Sequence, residues 1–304
     1  MLTVSNYHYI RENFESNYPS IFGVKPSEFK NQLELLRKEG DFITPNGLVS
    51  NLQSILESKE NFILVTFDDG LKEQYELALP ILDEMDIPAI FFANSLNSQD
   101  KKVTVVHKIH LLRSILAPEI LLENIAKVNS AYLSEEEKVR AQNIYRFDEP
   151  KSAALKYLLN FKMSFSLQEV VINELFKDFF DEKEVFKDLY MNDSQLISLA
   201  EKGYLGSHSH SHFPIGLLDE KAIYFELENC KSYFENLTKS KIELVSYPYG
   251  TEEAATLQVA EIAQKIGYKA GFTTKKGINK SGQNNLLLDR FDCNDLVGGK
   301  NYTK

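Results

Sequence analysis

The stretch FILVTFDDG, residues 62–70, begins with a run of apolar and β-branched residues and ends in two adjacent carboxylates and a glycine. A short apolar run bounded by turn residues is typical of a strand buried on both faces, as in a parallel sheet. Folds built on parallel strands keep their functional side chains at the carboxyl ends of those strands. The sequence therefore predicts that Asp68 and Asp69 lie at the mouth of a parallel α/β fold.

Short apolar runs of the same kind alternate with helical periods on both sides of this stretch. The segments 26–38 and 46–57 repeat apolar residues at helical spacing and predict two helices between the first strands. Strands that alternate with helices form βα units around a mostly parallel sheet. We predict strands at residues 2–9, 41–44, 62–67, 88–93, 204–207, 242–246, 269–273 and 286–290.

Glycine usage marks a different kind of segment in the middle of the chain. All 14 glycines lie outside residues 71–202, and residues 97–190 show helical periods without strand alternation. We therefore predict a helical insertion or lid at 97–190 and assign residues 1–96 and 191–304 to the α/β domain. A separate helical domain with no bearing on the site is the alternative.

The composition excludes several classes of protein. The chain has 304 residues, is 43% hydrophobic and carries a formal charge of -10, without a lysine and arginine cluster, so nucleic acid is not an expected partner. No stretch approaches 18 apolar residues and no secretory leader opens the sequence, which predicts a cytoplasmic protein with no membrane span. Cys230 and Cys293 are too few for a disulfide framework and are expected to be reduced thiols.

A histidine-rich motif, GSHSHSHFP at residues 206–214, follows another predicted strand and holds half of the six histidines. His208 and His212 are four residues apart, a spacing that lets two imidazoles converge on one metal ion. One of the two carboxylates at 68–69 is expected to join them, although an Asx turn that caps the next helix is the alternative for that pair. His210 is expected to point elsewhere, as an outer contact of the metal site or of substrate.

A third motif, SYPYG at residues 246–250, also follows a predicted strand. Pro248 fixes a turn and Gly250 permits an unusual backbone angle, so the amides around Tyr249 could be held out at the strand end. A turn with no further role is the alternative.

In this order, the motifs TFDDG, HSHSH and YPYG resemble those of the polysaccharide deacetylase family, also called the NodB-homology or carbohydrate esterase family 4 group. The resemblance runs through residues 2–93 and 192–290 and does not cover the helical segment. It implies an irregular (β/α)7 barrel, similar to a TIM barrel. It also implies hydrolysis of the N-acetyl, or a related acyl group, of an amino sugar with one divalent metal ion.

The resemblance further implies a role for each motif residue. Asp68 would be the general base on the attacking water, and the Tyr249 backbone amide would share the oxyanion. Asp69, His208 and His212 would hold the metal, for which such a set favours zinc, with cobalt, manganese or nickel as alternatives. Three protein ligands leave positions for water and for the substrate carbonyl.

The chain departs from the family pattern at the arginine that usually steadies the base. Many members carry it two residues before the motif proline, where this chain has Ser246. Arg290, after the last predicted strand, is expected to take its place; a surface arginine is the alternative.

A second departure concerns the general acid. The family often supplies a histidine near its C-terminal end, but no histidine follows His212. We predict that His107, or less readily His110, at the start of the helical segment donates the proton to the leaving amine. If both are ordinary helix residues, His8, His210 or a water would be the donor.

The sequence thus predicts a metal-dependent hydrolase that removes an acetyl or formyl group from an amino sugar, as in a surface-glycan precursor made inside the cell. A barrel that binds sugar without turnover and an amide hydrolase for a non-sugar substrate are the alternatives. The oligomeric state stays open.

Overall fold

The computed structural model describes residues 1–14, 23–128, 133–146 and 148–303, and it divides into two compact units. The described part of the first unit comprises residues 1–14, 23–102 and 186–303. That of the second lies within residues 103–185.

The strands of the first unit form one parallel sheet. Its order is β7-β6-β5-β4-β3-β1-β8, with β2 beside β3, and every pair of neighbours is parallel. The strands are β1 (Leu2–Tyr7), β2 (Asp41–Phe42), β3 (Phe62–Phe67), β4 (Ala89–Ala93), β5 (Leu205–Ser207), β6 (Leu244–Ser246), β7 (Ala270–Phe272) and β8 (Phe291–Asp292).

The chain around residues 288–292 connects the last strands of the sheet to the first strand. Leu288 makes a parallel bridge to Phe272 of β7, and β8, three residues later, pairs with β1 at Ser5 and Asn6. The path of neighbouring strands therefore returns from β7 to β1. This confirms the predicted α/β class and the irregular (β/α)7 barrel.

The predicted strands occur with one exception. β3 has the predicted bounds, and the other strands up to residue 273 are one or two residues shorter than predicted. The prediction of a strand at 286–290 is wrong, because the last strand lies at 291–292. The amides of Asp289 and Arg290 donate instead to the Asn279 side chain and the Lys275 carbonyl, which are loop acceptors.

Helices follow most of the strands, and two further segments are π-helical turns at Gln74–Ala78 and Leu158–Lys162. The helices are α1 (Pro26–Leu36), α2 (Pro45–Glu57), α3 (Leu79–Glu84), α4 (Ser95–Asp100), α5 (Val105–Ile115), α6 (Pro118–Val128), α7 (Glu135–Ile144), α8 (Pro150–Tyr157), α9 (Phe165–Lys177), α10 (Glu182–Leu189), α11 (Asp193–Glu201), α12 (Glu220–Thr238) and α13 (Leu257–Ile266). Across the described residues, no helix is both long and apolar enough to cross a bilayer.

Packed aromatic rings fix the strand ends beneath the site. Phe67, the last residue of β3, stacks on Phe91 of β4 with ring centroids 4.6 Å apart, and on Tyr7 of β1 at 5.4 Å. All three rings are fully buried. Truncating such a ring typically costs roughly 3–5 kcal/mol of stability, so the residues that follow, His8 and Asp68, start from rigid strand ends.

The second unit is helical, with α5 to α9 inside it. Its buried contacts include the amine of Lys108, which pairs with Glu182 at 2.7 Å and donates to the Asn173 side chain at 2.7 Å. That the segment 97–190 acts as a lid stays a prediction.

Candidate active site

The carboxylates of Asp68 and Asp69 are buried where β3 ends. The Asp68 amide still donates to the carbonyl of Tyr7 at 3.0 Å, and the backbone then turns through left-handed angles at Asp69 (φ 79°) and Gly70 (φ 63°). A Cβ at position 70 would lie 2.8 Å from that of Ala93, so the turn requires glycine. This sharp turn gives the two neighbouring carboxylates different partners.

The partner of Asp68 is Arg290. Its two terminal nitrogens donate to the two carboxylate oxygens at 2.8 and 2.7 Å, and its Nε donates to the carbonyl of Thr273 at 2.8 Å. Arg290 is 1% exposed. The structure therefore brings Arg290 beside Asp68, and Arg290 is not a surface residue. That Asp68 is the general base stays a prediction.

Burial and charge act in opposite directions on Asp68. Burial raises the pKa of its carboxyl, but the charge and hydrogen bonds of Arg290, with smaller contributions from His208 and His8, outweigh burial and hold the pKa well below its usual range. Asp68 is therefore a carboxylate at neutral pH.

Asp69 lies in a different cluster, with His208 and His212. Its Oδ1 is 3.5 Å from Nε2 of His208 and 3.1 Å from Nε2 of His212, and the three side chains are buried. Ligand atoms that share one tetrahedral zinc ion lie roughly 3.3 Å apart, given zinc–ligand distances near 2.0–2.2 Å. These three predicted ligands therefore meet in one place and could bind a metal ion.

Backbone contacts orient the first of these imidazoles. The Nδ1 atom of His208 lies 2.8 Å from the carbonyl of Ser246 at the end of β6, which leaves Nε2 directed at Asp69. The His208 amide donates to the carbonyl of Ala93 at 2.8 Å. Such outer hydrogen bonds fix the tautomer and ring orientation of histidines that bind metals.

His210 turns away from the cluster. Its Nδ1 contacts the hydroxyl of Ser95 at 2.8 Å and the side-chain amide of Asn229 at 3.0 Å. Its ring packs edge-on against Phe225, with centroids 5.5 Å apart. It therefore packs against α4 and α12 rather than joining the three ligand candidates.

The turn around Tyr249 contains two consecutive left-handed residues, Tyr249 (φ 62°) and Gly250 (φ 56°). Thr274 holds both carbonyls: its hydroxyl donates to the Tyr249 carbonyl at 2.7 Å and its amide to the Gly250 carbonyl at 2.9 Å. The Tyr249 ring packs edge-on against His212 at 5.4 Å. The turn is thus held on one side by Thr274, two residues after β7, and lies against His212 of the three-residue cluster on the other.

Four histidines were considered as proton donors, and the surroundings of His107 and His8 differ. His107 is fully buried in the second unit, where its Nδ1 contacts the Thr104 hydroxyl at 3.0 Å and its ring lies 5.9 Å from that of His110. Nε2 of His8 lies 4.0 Å from a carboxylate oxygen of Asp68.

The strand pairing explains why His8 lies near Asp68. Tyr7 and Phe67 are register partners of the parallel strands β1 and β3, so the residues after them necessarily emerge side by side. The sequence alone does not show that the first strand pairs with the third, and this pairing is what places His8 beside Asp68. The role predicted for His107 or His110 stays a prediction.

Comparison with known proteins agrees with this geometry. The model of the polysaccharide deacetylase family matches residues 56–123 and 179–271, just over half of the chain. The chain belongs to the polysaccharide deacetylase family. The matched ranges include the three metal-ligand candidates, Asp68 and Tyr249, and they exclude His8, Arg290 and residues 124–178.

Individual relatives are distant. YxkH of Bacillus subtilis (strain 168) is 26% identical over 114 residues, which are 37% of this chain and 40% of that protein. The Streptococcus pyogenes deacetylase PplD in complex with acetate superposes with a TM-score of 0.58 at 16% identity, covering 96% of this chain and 91% of that one. IcaB from Ammonifex degensii gives 0.59 at 18% identity with the same coverage. These two structures share the fold.

Proposed function

We propose that this family member is a metal-dependent amide hydrolase that removes an N-acetyl or N-formyl group from an amino sugar of a glycan or glycan precursor. The observation that carries the proposal is the pairing of two adjacent carboxylates with different partners. Asp68 is ion-paired to Arg290, and Asp69 lies between His208 and His212.

Asp69, His208 and His212 would hold the metal ion, with zinc as the preferred ion. A divalent ion polarises the acyl carbonyl and lowers the pKa of a bound water. The chain's own contribution there is a fixed ligand geometry, since Ser246 orients His208 from behind. The left-handed turn at Asp69 keeps its carboxylate apart from that of Asp68.

Asp68 would accept the proton of the attacking water. Its ion pair with Arg290 keeps it ionised and fixes the direction of both carboxylate oxygens. The Tyr249 amide would stabilise the negative charge that develops on the acyl oxygen, in a turn that Thr274 holds rigid.

The leaving amine needs a proton, and histidines from two parts of the chain are candidates for that role. The sequence predicts His107 or His110, whereas the distance of 4.0 Å from His8 to Asp68 supports His8. A donor beside the base could receive the proton that the base takes from water and pass it to the amine.

A sugar-binding barrel without turnover is less well supported. Binding alone does not call for a buried ion pair, which costs desolvation energy and adds little to stability. An amide hydrolase for a non-sugar substrate would use the same residues. Only an assay with both kinds of substrate distinguishes that activity from the proposed one.

The test is release of free acid from a substrate panel. N-acetyl and N-formyl amino sugars, free and in oligomers, are compared with an N-acetylated non-sugar amine, after chelator treatment and reloading with zinc, cobalt, manganese or nickel. We expect acid release only from the sugars and only after reloading. Release from the non-sugar amine alone, or full activity after chelation, would contradict the proposal.

A further inference from the structure

The loop of residues 208–212 carries both histidines of the metal cluster in an unfavourable backbone conformation. Ser209 (φ 60°) and His212 (φ 63°) both adopt left-handed angles. Residues other than glycine rarely adopt these angles, and they persist only where surrounding contacts over-determine them. The structure must therefore contain contacts that hold this loop from outside.

We propose that Glu226 of α12 is the positioning residue of this loop, and that it acts through Ser211. Glu226 is 5% exposed. One of its carboxylate oxygens accepts a hydrogen bond from the Ser211 amide at 2.8 Å, and the other accepts from the Ser211 hydroxyl. Its backbone carbonyl accepts from the His210 amide at 3.0 Å. One helical residue thus binds two consecutive residues that lie between the two imidazoles.

The start of the loop has its own anchor. The side-chain amide of Asn94 donates to the carbonyl of His208 and, at 3.3 Å, to that of Ser209. Glu226 therefore holds the second half of the loop, which leads into His212. The Leu96 amide also donates to the His210 carbonyl at 3.0 Å, so the specific contribution of the Glu226 side chain is to Ser211, the residue before His212.

The support of Glu226 is rigid. Its neighbours on the core face of α12 are fully buried: Ile223, Leu227, Cys230 and Phe234. A carboxylate on such a helix cannot follow a moving loop, so it fixes the loop in space. Burying a carboxylate against uncharged donors is also a poor way to gain stability, which favours a role in geometry.

This inference rests on the proposed metal site, and metal affinity is its direct readout. We compare Ser211→Ala, Glu226→Ala and the double variant by competition with a chelator for zinc. The spectrum of bound cobalt reports the ligand geometry. Residues that orient metal ligands typically change affinity by roughly 10- to 100-fold. We expect a loss of that size in each single variant, an altered cobalt spectrum, and no further loss in the double variant.

The same helix offers a matched control. The hydroxyl of Ser232 donates to Glu228 at 2.7 Å, a serine–glutamate pair that joins two residues of α12. Ser232→Ala and Glu228→Ala should bind zinc within about twofold of the unmodified protein. Ser211→Thr, which keeps the hydroxyl, should restore the affinity lost in Ser211→Ala.

Two results would overturn the inference, and they are distinguishable. If the unmodified protein binds zinc and both single variants bind it equally well, the metal site stands and Glu226 does not position the loop, whatever the change in thermal stability. If the unmodified protein binds no divalent ion, the proposed function fails and the inference with it. Should Glu226→Ala not fold, Ser211→Ala, which removes one hydroxyl, decides the matter.

Discussion

Arg290 and Asp68 are 222 positions apart in the chain and form a two-pronged ion pair, with both carboxylate oxygens bound at 2.8 and 2.7 Å. The pair joins the end of β3 to the segment that closes the barrel. That Arg290 replaces the arginine which the family motif carries before the proline stays a prediction. The first prediction follows from this pair.

Replacing Arg290 by glutamine should raise the pKa of Asp68, because burial then acts without the neighbouring positive charge. The acid limb of the kcat/KM profile should move to higher pH, while metal content stays the same. Arg37→Gln, at an exposed arginine after α1 that donates to the Met85 carbonyl, is the control. An acid limb at the same pH in Arg290→Gln would contradict the assignment of Asp68 as the base.

The same variant should show a pH-dependent loss of stability. In the unmodified protein the folded-state pKa of Asp68 lies below its unfolded value of about 3.9, so its carboxylate is largely ionised in both states at pH 4.5 and at pH 7.5. In Arg290→Gln burial raises the folded-state pKa above the unfolded value, so this variant loses stability as the pH rises through the raised pKa. Removing one partner of a buried pair typically costs about 3–5 kcal/mol. Urea unfolding of Arg290→Gln and of the unmodified protein is compared at pH 7.5 and 4.5. The variant should lose more of its free energy of unfolding at pH 7.5 than at pH 4.5.

The second prediction separates the two adjacent carboxylates. Asp68→Asn should keep the metal and lose turnover by roughly 10²- to 10⁴-fold, the usual contribution of a general base. Asp69→Asn should lose the metal itself. Elemental analysis and single-turnover rates measure both effects, and the opposite pattern would show that the two roles are exchanged.

The third prediction identifies the proton donor. If a protonated imidazole is the donor, the pH–rate profile falls at high pH as the imidazole loses its proton. A variant that keeps the metal but no longer shows this fall identifies the donor. We compare His8→Gln, His107→Gln and His110→Gln in one series. The contact with Asp68 leads us to expect the change in His8→Gln; the same profile in all three variants would leave His210 or a water.

The fourth prediction concerns the turn at Tyr249. Thr274→Val removes the hydroxyl that donates to the Tyr249 carbonyl. The loss of one oxyanion donor costs roughly 10²- to 10³-fold in kcat, and a displaced donor should cost less, about 10-fold, with KM nearly constant. Thr274→Ser, which keeps the hydroxyl, should retain the rate. If Thr274→Val and Thr274→Ser have the same kcat, the turn keeps its conformation without the Thr274 hydroxyl.

The sequence was informative where function and fold depend on local patterns. β3 has the predicted bounds because one unbroken apolar run fills a central strand, and His208 and His212 were found from their spacing alone. The α/β class followed from the alternation of strand and helix patterns, and the barrel from the family resemblance of the motifs.

Residues whose roles depend on closure or register were harder to predict. Arg290 was expected near the base from the family pattern, but the two-pronged contact requires the closed barrel. His8 needed the pairing of β1 with β3. Glu226 resembles any acidic residue on an amphipathic helix, since its burial against the loop leaves no mark on the helical period.

The closing segment also sets an order of events during synthesis. Ribosomes add about 5–20 residues per second and domains fold as units, so all other residues of the site leave the ribosome before Arg290 does. Until then β1 lacks its neighbour β8, and the carboxylate of Asp68 lacks its ion pair with Arg290. A nascent chain can thus present every other residue of the site before Arg290 is available. On the proposed function, Asp68 reaches its low pKa only after the segment around Arg290 has docked.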